Sequence, residues 1–237
     1  MFKQLARFFS LLLVLTFAVI SPNVEASAQT SVQTTLEVGE NELSTIGRAE
    51  AKRATEIAFV KITSDMRNFI REVYTGDAST ITGIYVHEEF SLNVSQQPSG
   101  SPGYISPNEN TATEFKMARD YGSIGMLAHN YLAGDLFFQL EHGQVIYLVF
   151  GDGMVQPYTI LNVLRYQALQ PNSPYSNFLN LDNTEEYLSA ADLFYKVYDQ
   201  DDALILQTCI ENQGIDTWGR LFIIAVPGPI PVNSGAL

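Results

Sequence analysis

The chain has one cysteine, one tryptophan and three histidines in 237 residues, and only 13 basic side chains against 26 acidic ones. Each shortage excludes something. A lone cysteine cannot build a disulfide framework, and with so few histidines there is no Cys/His cluster of the kind that holds zinc. A formal net charge of −13 argues against nucleic acid as a partner, because phosphate backbones recruit basic faces. Beyond residue 20 there is no apolar run of membrane length: the strongest candidates, 145–150 and 221–226, are the length of strands. No internal repeat is present.

What the sequence does contain begins with an export pattern. Lys3 and Arg7 precede an uncharged apolar stretch over 8–20, and Ala26-Ser27-Ala28 follows with the small-x-small pattern of a cleavage site. The expectation is a signal peptide over 1–28, with an uncleaved membrane tether as the alternative, and a secreted or cell-surface protein. Residues 29–42, rich in Ser, Thr and Gln, read as a linker. Segment 43–75 carries Arg48, Lys52, Arg53, Lys61, Arg67 and Arg71, lacks proline up to Tyr74, and mixes Ile57, Val60 and Ile62 with charges at helical spacing. It is expected to be helical.

From 76 to 230 the texture changes to short apolar or alternating runs broken by Gly, Pro, Asn and Asp, which marks an all-β domain. Strands are expected at 81–94, 123–128, 135–140, 144–150, 158–169, 204–209 and 221–226. A barrel with helical decoration is the architecture chosen over a sandwich. Glu141-His142-Gly143 reads as a hairpin turn with His142 in solvent, and His87 as a strand residue beside Glu88 and Glu89. Thr184, ahead of Glu185 and Glu186, reads as a helix cap. The Ser/Pro/Gly/Asn-rich stretch 95–113 is a loop long enough to serve a site or be disordered.

A thiol in an exported chain normally pairs, so an unpaired one points to reactivity or to a partner on another chain. Cys209 ends an apolar run in Leu206-Gln207-Thr208-Cys209. His129 stands just past a strand, where a loop can aim it, and Arg220 opens the next apolar run, where its fork of donors can hold a carbonyl oxygen or a carboxylate. Each residue also has an inert reading. Cysteine is often a small buried hydrophobe, His129 can be a polar strand end, and Arg220 can be an exposed charge or pair with Asp216.

The order His129, Cys209, Arg220 resembles the sortases, the secreted cysteine transpeptidases of bacterial surfaces. Their nucleophile closes a Thr-Leu-x-Thr-Cys strand, whose last four positions match Leu206 to Cys209, with Ile205 where the first threonine usually stands. Their histidine lies in a Gly-His-Asn-like turn, matched by Ala128-His129-Asn130, before a strand carrying glycine and phenylalanine (here Gly134-Asp135-Leu136-Phe137) and a Leu-x-x-Gly hairpin (here Leu140 to Gly143). The resemblance implies a sortase-like eight-stranded β-barrel. It also implies a Cys209 nucleophile, His129 as proton donor and acceptor, Arg220 as support for the oxyanion, and Thr208 assisting beside the nucleophile. Implied partners are secreted proteins or peptides bearing a sorting motif and an amine acceptor on the cell wall or another subunit. No cofactor or metal is called for; Glu88, Glu89, Glu109 and Glu114 offer oxygen ligands, but their spacing specifies no calcium site. Alternatives are a cysteine hydrolase on the same scaffold, a non-catalytic binding module, and an intermolecular disulfide through Cys209.

Overall fold

The computed structural model describes residues 63–228. The expected signal, the linker and the first part of the 43–75 segment lie outside the described residues. Helix α1 (Ser64–Glu72) opens where the Thr63 hydroxyl accepts a hydrogen bond from the Met66 amide at 3.2 Å, which satisfies one of the donors a helix start leaves free. Its face of Met66, Phe69 and Ile70 packs on Tyr85, Val149 and Val155. Strand β1 (Ile81–Val86) is buried at every position, because α1 covers one face and the barrel core the other. Gly83 permits this: a Cβ there would sit 2.7 Å from the Phe69 ring.

Around the barrel, β1 pairs with β2 (Phe90–Gln96), and β2 runs parallel to β3 (Thr111–Phe115). Next comes β4 (Ile124–Leu127), then β9 (Leu204–Asn212), β10 (Ile215–Pro227), β6 (Val155–Ala168) and β5 (Val145–Phe150), which returns to β1. The pairing of β10 with β6 closes the ring at eight strands, so the barrel has no open edge. Short β7 (Phe178–Asn180) and β8 (Tyr187–Leu188) extend the sheet from the far end of β6. Leu92, Met126, Phe137, Ile146, Ile160, Leu206 and Ile223 fill the interior. Outside, helix α3 (Ala190–Tyr198) lays Leu193, Val197 and Tyr198 over Ile205, Tyr166 and Phe222. The remaining helical pieces are a single turn, α2 (Lys116–Arg119), and a 3-10 segment, Ala133–Gln139.

An all-β barrel with helical decoration is what the sequence led us to expect, but several elements differ. The 81–94 run is two strands, because Glu88 takes φ 62° and the Glu89 amide bonds back to the Val86 carbonyl; His87 therefore lies in a turn. The expected strand 135–140 is the 3-10 segment, wound by bonds from the Asp135 amide to the Leu132 carbonyl and from the Leu140 amide to the Phe137 carbonyl. The turn of Glu141, His142 and Gly143 is exposed as expected, but it follows that segment and does not join two strands. The last helix starts at Ala190 with Ser189 as its cap, since Glu186 is held elsewhere and keeps 187–188 in the sheet. Strand β3 was not anticipated. The 97–110 loop is ordered by Gln97, whose side-chain amide donates to the carbonyls of Pro102 and Tyr104.

Candidate active site

Strand β9 alternates strictly. Leu204 and Leu206 face the barrel interior, whereas Ile205 faces α3, so Thr208 continues the inner face and Cys209 the outer one. Cys209 is a half-buried free thiol. In the antiparallel pairing of β9 with β10, Arg220 stands directly opposite Cys209, and directly opposed residues share a face. Strand β4 runs parallel to β9 with Leu127 against Gln207, and the Ala128 amide still bonds the Gln207 carbonyl at 3.2 Å. His129 follows two residues past the last paired residue of β4, where the chain leaves the strand. The β9–β10 register thus sets Cys209 beside Arg220, and the β4–β9 pairing brings the turn that carries His129 to the side of β9.

The His129 backbone is fixed tightly. Its carbonyl accepts from the amides of Leu132 (3.0 Å) and Gly134 (2.9 Å). Gly134 lies so close beneath that a Cβ would stand 2.3 Å from the Thr208 hydroxyl and 2.7 Å from the His129 carbonyl; no side chain fits there. The imidazole is half-buried and stacks on Tyr131, with centroids 5.1 Å apart and planes inclined by 20°. Asn130 ties this turn to the start of β10 through a bond from its side-chain amide to the Asp216 carbonyl at 3.3 Å.

The Arg220 guanidinium donates through Nη1 to the carbonyls of Thr217 (3.0 Å) and Gly219 (2.7 Å). Among the described residues it forms no ion pair, and the one considered with Asp216 is not made. A half-buried, permanently charged fork with donors to spare, on the same sheet face as a thiol, can receive an oxygen that becomes negative. Thr208 is different. It is 2% exposed, points into the barrel, and its Oγ1 has no hydrogen-bond partner.

An open cavity of about 400 Å³ is lined by Asn130, Tyr131, Asp135, Phe138, Ile210, Glu211 and Asp216. Asn130 and Ile210 directly follow His129 and Cys209 in the chain, and Tyr131 both lines the cavity and stacks on His129. Asn130 and Gly134 already stand in the motifs read from the sequence, whereas Tyr131 was missed; an aromatic two residues after a candidate histidine was the available signal. His87 and His142 lie in other turns. Among the described residues no three His, Cys, Asp or Glu side chains gather as a metal site. Glu114, one of the acids considered for calcium, is 3% exposed and engaged by Arg119 and Gln96.

No family model and no curated protein matches this chain. Solved structures to which it is similar include sortase A of Listeria monocytogenes, 16% identical over 65% of this chain and 89% of that one, with a TM-score of 0.41. Sortase A from Corynebacterium diphtheriae is 12% identical over 75% of each chain, with a TM-score of 0.41. Sortase C-1 from Actinomyces oris is 13% identical over 77% of this chain and 98% of that one, with a TM-score of 0.42.

Proposed function

We propose that the protein is a sortase-like cysteine transpeptidase acting on secreted proteins. The observation that supports this reading is the register that pairs Arg220 with Cys209, and the strand that leads to His129 runs parallel to β9. A thiolate is the competent form of the nucleophile, and flanking cationic groups favour it. The Cys209 thiolate attacks the scissile carbonyl of a sorting-motif peptide, and the carbonyl oxygen becomes an oxyanion held by the free donors of Arg220. The C–N bond then breaks as the protonated His129 gives its proton to the leaving amine, which leaves a thioester on Cys209. An incoming amine attacks that thioester while neutral His129 takes its proton, and the thiolate departs with the new amide formed.

Thr208 enters through packing, because its hydroxyl lies on the opposite face of β9 from the thiol. The substrates are peptides that carry a sorting motif, and the acceptor is an amine on the cell wall or on another protein subunit. Residues 1–28 supply the export signal, or a tether if they are retained. No helix among the described residues is long and apolar enough to cross a membrane.

The test is incubation of the protein with a randomised peptide library, with and without hydroxylamine, followed by mass spectrometry of the products. Peptide hydroxamates formed by the wild type and absent with Cys209→Ala support the transferase. Free carboxylic acids unaffected by hydroxylamine identify a hydrolase on the same scaffold. Unchanged peptides overturn the catalytic reading.

A further inference from the structure

Tyr131 has no part in the reaction as described above, yet it is in stacking contact with the residue that moves the proton. It is 66% exposed, so burial does little to hold it where it is. The turn does more: the two amide bonds to the His129 carbonyl set the backbone from 129 to 134 and present Tyr131 to the ring two residues earlier. The rings lie 5.1 Å apart at 20°, and this is the one ring contact the imidazole makes among the described residues. The same side chain lines the adjoining cavity.

A general acid and base needs a third group to aim it. A carboxylate in that role would occupy one ring nitrogen. A stacked ring instead covers a face of the imidazole and leaves both nitrogens, which lie on its edge, open for proton transfer. We propose that Tyr131 is a positioning residue for His129, orienting the imidazole toward Cys209 by stacking and forming part of the wall of the cavity beside it. The inference rests on the reading of Cys209 and His129 given above.

The experiment compares Tyr131→Ala, Tyr131→Leu and Tyr131→Phe in the full chain. Misaiming a proton donor typically costs an order of magnitude or more, so kcat is expected to fall about tenfold in the Ala and Leu variants, with the KM for peptide and the melting temperature little changed. Tyr131→Phe, which keeps the ring, restores kcat. A merely structural role would not produce that split. In parallel, NMR follows the His129 ring protons, assigned with His129→Gln. A stacked neighbour displaces them upfield in the wild type and in Tyr131→Phe, and the displacement disappears in Tyr131→Ala. Unchanged kcat in both truncated variants, or ring signals that do not move, overturns the proposal. A wild type without turnover overturns the transferase reading and the catalytic half of this one with it, while the NMR arm still decides whether the stack exists.

Discussion

One rung of the sheet crosses four strands: Cys209 on β9, Arg220 on β10, Tyr166 on β6 and Asn180 on β7. Its two halves are built on the same face and differ in how their polar groups are satisfied. At the far half, the Tyr166 hydroxyl donates to Glu186 at 3.0 Å and the Asn180 side-chain amide donates to it at 2.7 Å, while Lys196 caps its other oxygen. Burial pushes the Tyr166 phenol up, so it stays a donor. At the near half, Arg220 spends donors only on backbone carbonyls and the thiol stands free. Buried polar groups that satisfy one another rigidify a fold, whereas groups left partly unmatched are available to a ligand. The far half holds the 181–188 segment in place, and the near half keeps donors and a thiol that no side chain engages.

Arg220→Ala breaks the comparison hardest. Losing one preorganised oxyanion donor typically costs about 10²- to 10³-fold in kcat, so peptide turnover should drop by that factor while the thermal melt stays near that of the wild type. His87→Ala and His142→Ala, both in other turns, should leave turnover near normal in the same assay. Gly134→Ala comes next, since its Cβ collides with two backbone carbonyls and a hydroxyl. Overpacking of this kind costs about 1–3 kcal/mol, and urea denaturation should show that loss together with reduced activity, because the carbonyl displaced belongs to His129.

Glu186→Gln tests the satisfied half. It should cost about 1 kcal/mol of stability at neutral pH, given a partly exposed ion pair with charged hydrogen bonds, and leave the reactivity of Cys209 unaltered. Its pH dependence has a definite sign. The bond from Lys196, followed by those from Asn180 and Tyr166, holds the Glu186 carboxyl below its ordinary value of 4.5. The stabilisation is therefore complete above the ordinary glutamate range and is lost as pH falls through the lowered value. Melts of wild type and Glu186→Gln should thus converge on acidification. The smallest effect belongs to Thr208→Val. Its hydroxyl has no partner, so the methyl that replaces it should leave stability within about 0.5 kcal/mol of the wild type or raise it, and turnover should persist.

Much of this was legible in the sequence, for identifiable reasons. The apolar runs at 145–150 and 221–226 mark strands because both lie in the barrel wall with covered faces. Placing His129 just past a strand followed from where the 123–128 run stops, and placing Arg220 beside Cys209 from where the 204–209 run stops and the 221–226 run begins. The parallel β4–β9 pairing, which brings the segment before His129 against β9, was not readable, since it joins segments far apart in sequence and no local pattern encodes a register of that kind. The 135–140 stretch misled because Leu136, Phe137 and Leu140 have strand-like composition, while the determinant is the close approach of Gly134 to β9. Thr184 and Ser189 are both hydroxyl residues ahead of apolar ones, and the capture of Glu186 accompanies a helix that starts after the second. Strand β3 reads as polar, and its Glu114 is buried only because Arg119 and Gln96 meet it.

The most direct test of the central claim is the rate at which iodoacetamide alkylates Cys209, followed by intact mass in the wild type, His129→Ala and Arg220→Ala; the chain's single cysteine makes the label unambiguous. The account predicts that the native wild type is labelled without denaturant and faster than either variant. Equal rates in all three proteins, or no labelling until the chain is unfolded, would contradict it.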